Sequence, residues 1–143
     1  MLNLNELLRE KGYKVTKSRL AILKIFLESK IPLNAEIIYK KLVKNNKPKN
    51  INEATVYRTL TLFEENEILR RVDLRQNSVH FELNNDHYHH IVCIKCNLIE
   101  TFKNCEIEKI LGRIVEKSSK FKKIKEHSFE LFGFCKECLI KTT

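Results

Sequence analysis

The chain has 143 residues, with 27 Lys/Arg against 18 Asp/Glu and a formal net charge of +9. No apolar run approaches the length of a membrane-spanning helix, and only three glycines and two prolines are present. That excludes a helical membrane span and a low-complexity chain, and leaves one domain or two small ones whose basic balance suits a polyanion partner.

Thr16 caps a predicted helix running through Ser29, with Leu20, Ile22, Leu23, Ile25, Phe26 and Leu27 as a broad apolar face. Pro32 stops it. Asn34 caps the next helix, whose core face carries Ile37, Ile38, Leu42 and Val43 and which ends at Asn45-Asn46-Lys47-Pro48. Asn52, with Glu53 in the first turn, caps a third helix through Glu64, with Val56, Leu60, Leu62 and Phe63 facing inward. Two strand-like runs follow, Ile68–Leu74 and Ser78–Leu83, joined by Arg75-Gln76-Asn77 in a hairpin without glycine.

Three short helices and a two-stranded hairpin describe a winged helix-turn-helix over residues 1–83, whose third helix would enter the major groove. That stretch holds 16 Lys/Arg against 10 Asp/Glu, whereas residues 84–143 hold 11 against 8. The exposed face of the third helix carries Thr55, Tyr57, Arg58 and Thr61. Arginine pairs with guanine edges, and tyrosine and threonine touch phosphate or a thymine methyl. Arg70, Arg71 and Arg75 on the hairpin, and Lys14, Lys17 and Arg19 near the first helix, would grip phosphates. Lys24 and Lys44 read as solvated surface charge; Tyr57 has little structural reason to stand on an exposed face.

Beyond residue 83 the pattern changes. His90–Ile94 and Leu98–Phe102 read as strands, Cys105 to about Ser119 as a helix, and Lys122–Phe134 as one long strand. Two cysteine pairs frame this region, Cys93-Ile-Lys-Cys96 and Cys135-Lys-Glu-Cys138. The spacing lets a tight turn aim two thiolates at one point, and two such turns make a tetrahedral all-sulfur site that selects structural zinc. A redox pair or disulfides would be the other use. The chain opens without a signal-peptide pattern and is lysine-rich, so a reducing cytoplasm is expected, where such pairs bind metal. The unit has too little apolar content to fold alone, and zinc would supply the difference. Its exposed strand edges invite pairing with a second copy. His87-Tyr88-His89-His90 adds a second metal-like cluster just before the first pair. Cys105 is the odd cysteine, read as a small, partly buried apolar residue, with a thiolate joining Glu108 or sensing oxidation as the sharper use.

Nearly the whole chain resembles the ferric uptake regulator (Fur) family of bacterial metal-responsive repressors. Gly12-Tyr13-Lys14-Val15-Thr16 followed by Arg19, Ala35-Glu36-Ile37-Ile38-Tyr39, Ala54-Thr55-Val56-Tyr57-Arg58-Thr59-Leu60, Phe81-Glu82-Leu83, the histidine cluster, both cysteine pairs and His127-Ser128 carry the likeness in order. The resemblance implies an α+β homodimer. Residues 1–83 would form the winged-helix DNA-binding domain, and residues 84–143 a small α/β metal-binding dimerisation domain. The metal-loaded form would bind a palindromic double-stranded operator. It also implies that His87, His89, Glu108 and His127 hold the regulatory ion, Fe2+ or else Mn2+ or Zn2+. A second, hinge-facing site would use position 88, His90, Glu82 and an interdomain histidine. Here position 88 is Tyr88 and the histidine is replaced by Pro32, so only Glu82 and His90 remain of it. Sliding the loop by one residue would instead make His87-Tyr88-His89 the His-x-His of peroxide sensors; it needs an insertion before Cys93.

The leading function is therefore a metal-dependent repressor of iron or other divalent-metal homeostasis. Peroxide- or zinc-responsive relatives share its outline, as does a DNA-binding protein whose metal is only structural. A zinc hydrolase is disfavoured. Catalytic zinc needs an open coordination position, and neither a nucleophile triad nor a phosphate-binding glycine loop is visible in the sequence.

Overall fold

The computed structural model describes residues 3–84, 88–103 and 106–141; His87 and Cys105 lie outside the described residues. The chain divides into two compact units, Met1–Asp86 and His87–Thr143.

The first unit opens with a helix absent from the sequence reading, α1 (Leu4–Glu10). Asn3 caps it by accepting from the Asn5 and Glu6 amides, and Leu8 is buried. The apolar spacing Leu4, Leu7, Leu8 was the available signal. Next come α2 (Lys17–Glu28), β1 (Leu33–Asn34), α3 (Ala35–Asn45), α4 (Glu53–Glu65), β2 (Leu69–Val72) and β3 (His80–Leu83). Caps define the helices: Thr16 Oγ1 accepts from Arg19, Asn34 Oδ1 from Ile37 and Asn52 Oδ1 from Thr55. Asn46, left-handed at φ 47°, closes α3. The sheet order is β1-β3-β2, antiparallel throughout. The hairpin ladder is shorter than expected. Asp73 turns its carboxylate onto the Arg75 amide at 2.9 Å, and Arg75 takes φ 52°, so the turn begins early. Ile22, Leu23, Ile38, Leu42, Val56, Leu60, Phe63 and Leu69 are buried together in one core. This is a winged helix, with α4 as its third core helix and the β2–β3 ribbon as its wing.

The second unit comprises β4 (His89–Cys93), β5 (Ile99–Phe102), α5 (Glu106–Glu116), β6 (Glu130–Gly133) and α6 (Lys136–Ile140). Its sheet runs β5-β4-β6, with β5 antiparallel and β6 parallel to β4. The strand expected over Lys122–Phe134 is confined to Glu130–Gly133. A ladder extends only as far as its partner, and β4 offers His90 to Cys93. Among its described residues the buried apolar side chains are Val92, Cys93, Ile107 and Cys138, too few for a self-sufficient core. Along α5, Ile110 and Ile114 are 52% and 55% exposed, an apolar face left open among the described residues.

Candidate metal centre and nucleic-acid interface

Parallel pairing of β4 and β6 makes the cysteine site. Cys93 lies opposite Gly133, and the Ile94 amide donates to the Gly133 carbonyl at 2.8 Å, so both strands release their cysteine pairs at the same end. The first pair sits on a tight turn. The Asn97 amide closes onto the Cys93 carbonyl at 2.9 Å, and Asn97 adopts φ 61°. The second pair departs from the expected bare turn: Cys135 is the N-cap of α6 and Cys138 lies in its first turn. Residues three apart on a helix share a face, so both sulfurs still converge.

All four Sγ atoms lie within 4.8 Å of one another, and Cys96 and Cys135 are 3.7 Å apart. Four Zn–S bonds of about 2.3 Å in a tetrahedron give S···S edges of about 3.8 Å, while a disulfide would need about 2.05 Å. No disulfide joins these four cysteines. The amides of Cys135 and then Cys96 donate toward Cys93 and hold its thiol down at about 6. Cys138 is pushed up to about 12, first by the Cys135 sulfur and then by burial. One thiolate is thus stabilised by backbone donors while a neighbour resists ionising beside it. A divalent cation at the centre would allow all four to ionise, and the donor set fits zinc.

Of the residues assigned to the regulatory ion, the structure brings two together. His89 on β4 is buried, and its ring centroid lies 5.4 Å from that of His127. His89 Nδ1 donates to the Phe129 carbonyl at 3.3 Å; a carbonyl only accepts, so in a neutral ring Nε2 would be the nitrogen suited to a metal. Glu108 on α5 shares a cavity of about 370 Å³ with His127, walled by Leu111, Val115 and Ile124. Among the described residues the four cysteines form the one ligand cluster at bonding range; Glu108 borders His127 without joining such a cluster. Glu82 on β3 is held by Arg70, whose Nε donates at 2.6 Å. His90 on β4 is buried, and the Lys103 ammonium lies over the Tyr88 ring.

In the winged helix, Tyr57 stands 55% exposed on α4 with Arg58 and Thr61 exposed beside it. Thr55 is half-buried and turns its hydroxyl to Asn52. Lys14 and Lys17 are exposed. Arg19 donates to the Lys14 carbonyl at 2.6 Å and stacks over Tyr13. Arg71 pairs with Glu64 of α4. A groove of about 330 Å³ runs between α4 and the wing, bordered by Tyr57, Thr61, Arg71 and Asn77. His80 is a buried strand histidine whose Nδ1 donates to the Ser78 carbonyl at 3.0 Å. Sequence reasoning missed the Arg70–Glu82 pair. A hairpin register centred on Gln76 would have set the two opposite each other.

A model of the Ferric uptake regulator family matches residues 10–132. The chain belongs to the ferric uptake regulator family. It is 37% identical over 136 residues to the ferric uptake regulation protein of Neisseria meningitidis, covering 94% of this chain and 92% of that protein. The iron-containing ferric uptake regulator of Francisella tularensis superposes with TM-score 0.75 at 37% identity, over 90% of this chain and 96% of that one. The Pseudomonas aeruginosa regulator with manganese gives 0.79 at 29% identity, over 94% and 99%. Members of the Fur family are metal-responsive transcription regulators rather than enzymes.

Proposed function

We propose that the protein is a homodimeric, metal-dependent repressor of the Fur type that binds a palindromic operator and controls iron or another divalent metal in the cytoplasm. The exposed pair Tyr57 and Arg58 on the third core helix of a winged helix is the observation that carries this reading. Arg58 reads a base edge; Tyr57, Thr55 and Thr61 follow the groove wall; Lys14, Lys17, Arg19 and Arg71 meet phosphate. The four cysteines hold structural zinc and close the second unit. His89, His127 and Glu108, with His87, take the regulatory ion. Imidazole and carboxylate donors suit Fe2+, Mn2+ and Zn2+ alike, and the Francisella and Pseudomonas relatives that carry iron and manganese favour the first two. The ion favours the DNA-competent arrangement by binding it more tightly than the alternative. The open apolar face of α5, with Ile110 and Ile114, fits a second copy of this chain.

Operator affinity of the zinc-loaded protein, measured with and without Fe(II) or Mn(II), tests this reading: the ion should tighten binding. A second reading, a DNA-binding protein with structural metal only, draws on Pro32 and Tyr88, which stand where the resemblance calls for two imidazoles at the hinge-facing site. It requires operator affinity that does not respond to either ion.

A further inference from the structure

Family resemblance hands Glu82 to a metal ion, yet the fold gives it a different partner. β2 and β3 pair with Arg70 directly opposite Glu82. Arg70 Nε donates to Glu82 Oε1 at 2.6 Å, and Nη2 reaches the same oxygen at 2.5 Å. The two side chains are 27% and 12% exposed, so the pair is largely shielded from water. A divalent ion entering here would have to displace the guanidinium and leave it half-buried without its counter-charge. Pro32 and Tyr88 weaken the ligand set further. Proline has no side-chain donor, and a phenol titrates near 10, so it must lose a proton at high cost to serve as an anionic ligand.

We propose that Arg70 takes the place of a metal ion at Glu82. The carboxylate is a permanent cross-strand strut of the wing, and the ion-responsive step of this protein draws no ligand from it. Opposed charges on directly paired residues stabilise an antiparallel ribbon, and this pair needs no metal to do so. The wing is therefore set in the same way with or without the regulatory ion. This inference does not depend on His89 and His127 being the regulatory ligands.

The test uses the full-length, zinc-loaded protein in two arms. Calorimetric titration with Mn(II) should give Glu82→Gln the wild-type stoichiometry and an affinity within about 2-fold of wild type. Urea midpoints of Glu82→Gln, Arg70→Gln and the double variant should show coupling, the double losing clearly less than the two singles together. Loss of one Mn(II) equivalent in Glu82→Gln, weakening by about 10-fold or more, or additive midpoints would overturn the proposal. Should the wild type bind no Mn(II) beyond the zinc, the regulatory reading of His89 and His127 fails, while the urea arm still decides the role of Arg70.

Discussion

Arg71 on β2 reaches back to Glu64 in the last turn of α4, its Nη2 donating to Oε2 at 2.9 Å and its Nε facing Oε1. Strand and helix are thereby tied in a two-pronged contact, while more than half of the arginine side chain stays exposed. That open edge is what remains for a phosphate. Arg71→Ala should lower the salt slope of operator binding by about 1. Glu64→Gln should keep the slope, since it removes only the tether. Equal slopes for Arg71→Ala and wild type would confine Arg71 to the tether.

Arg58 and Lys14 should fail differently. Arg58→Ala is expected to cost about 1–3 kcal/mol on the operator and to relax base preference. Lys14→Ala should weaken operator and random DNA alike and reduce the salt slope. Fluorescence anisotropy on both DNAs across a salt series separates the two patterns. Parallel losses on both DNAs for both variants would refute the division.

The cysteine centre should behave as part of the fold. Cys96→Ser or Cys138→Ser should release about one zinc per chain, unfold the second unit and dissolve the dimer, because few apolar side chains are buried there without the metal. Elemental analysis with size-exclusion chromatography checks this. A zinc-free variant that remains folded and dimeric contradicts it.

Ion-dependent DNA binding should run through His127. His127→Ala is expected to abolish the Mn(II) response of operator affinity while the cysteine zinc stays in place. A full response in that variant would remove the histidine from the regulatory site.

Acid should loosen the winged helix through His80. Burial lowers its pKa below the ordinary 6.5, and the hydrogen bond to Ser78 offsets that only in part. The folded state therefore binds fewer protons than the unfolded state as pH drops below 6.5. The stability due to neutral His80 is complete above that value and is lost as pH falls through the lower folded value. Urea unfolding followed by circular dichroism should show this decline in wild type and a flatter profile in His80→Gln. Identical profiles would exclude His80 as the source.

Helix starts were legible because caps are local. Thr16, Asn34 and Asn52 each accept from the amide three residues on, so residue type and short spacing suffice to find them. The same holds for the cysteine pairs, whose geometry within each pair is set by a single turn. Strand lengths were not legible in this way. Residues 122–129 have an extended-looking pattern, but a strand exists only where another backbone pairs with it, and β4 reaches only as far as Glu130–Gly133. The second cysteine pair likewise gained a helix that two intervening residues could not announce. Partner choice was the other thing decided in three dimensions. Glu82 in the sequence reads equally well as a metal ligand or as one half of an ion pair, and it is the β2–β3 register that sets Arg70 opposite it. Local bonds are written in neighbouring residues, whereas ladder register and charge pairing depend on which distant backbone arrives alongside.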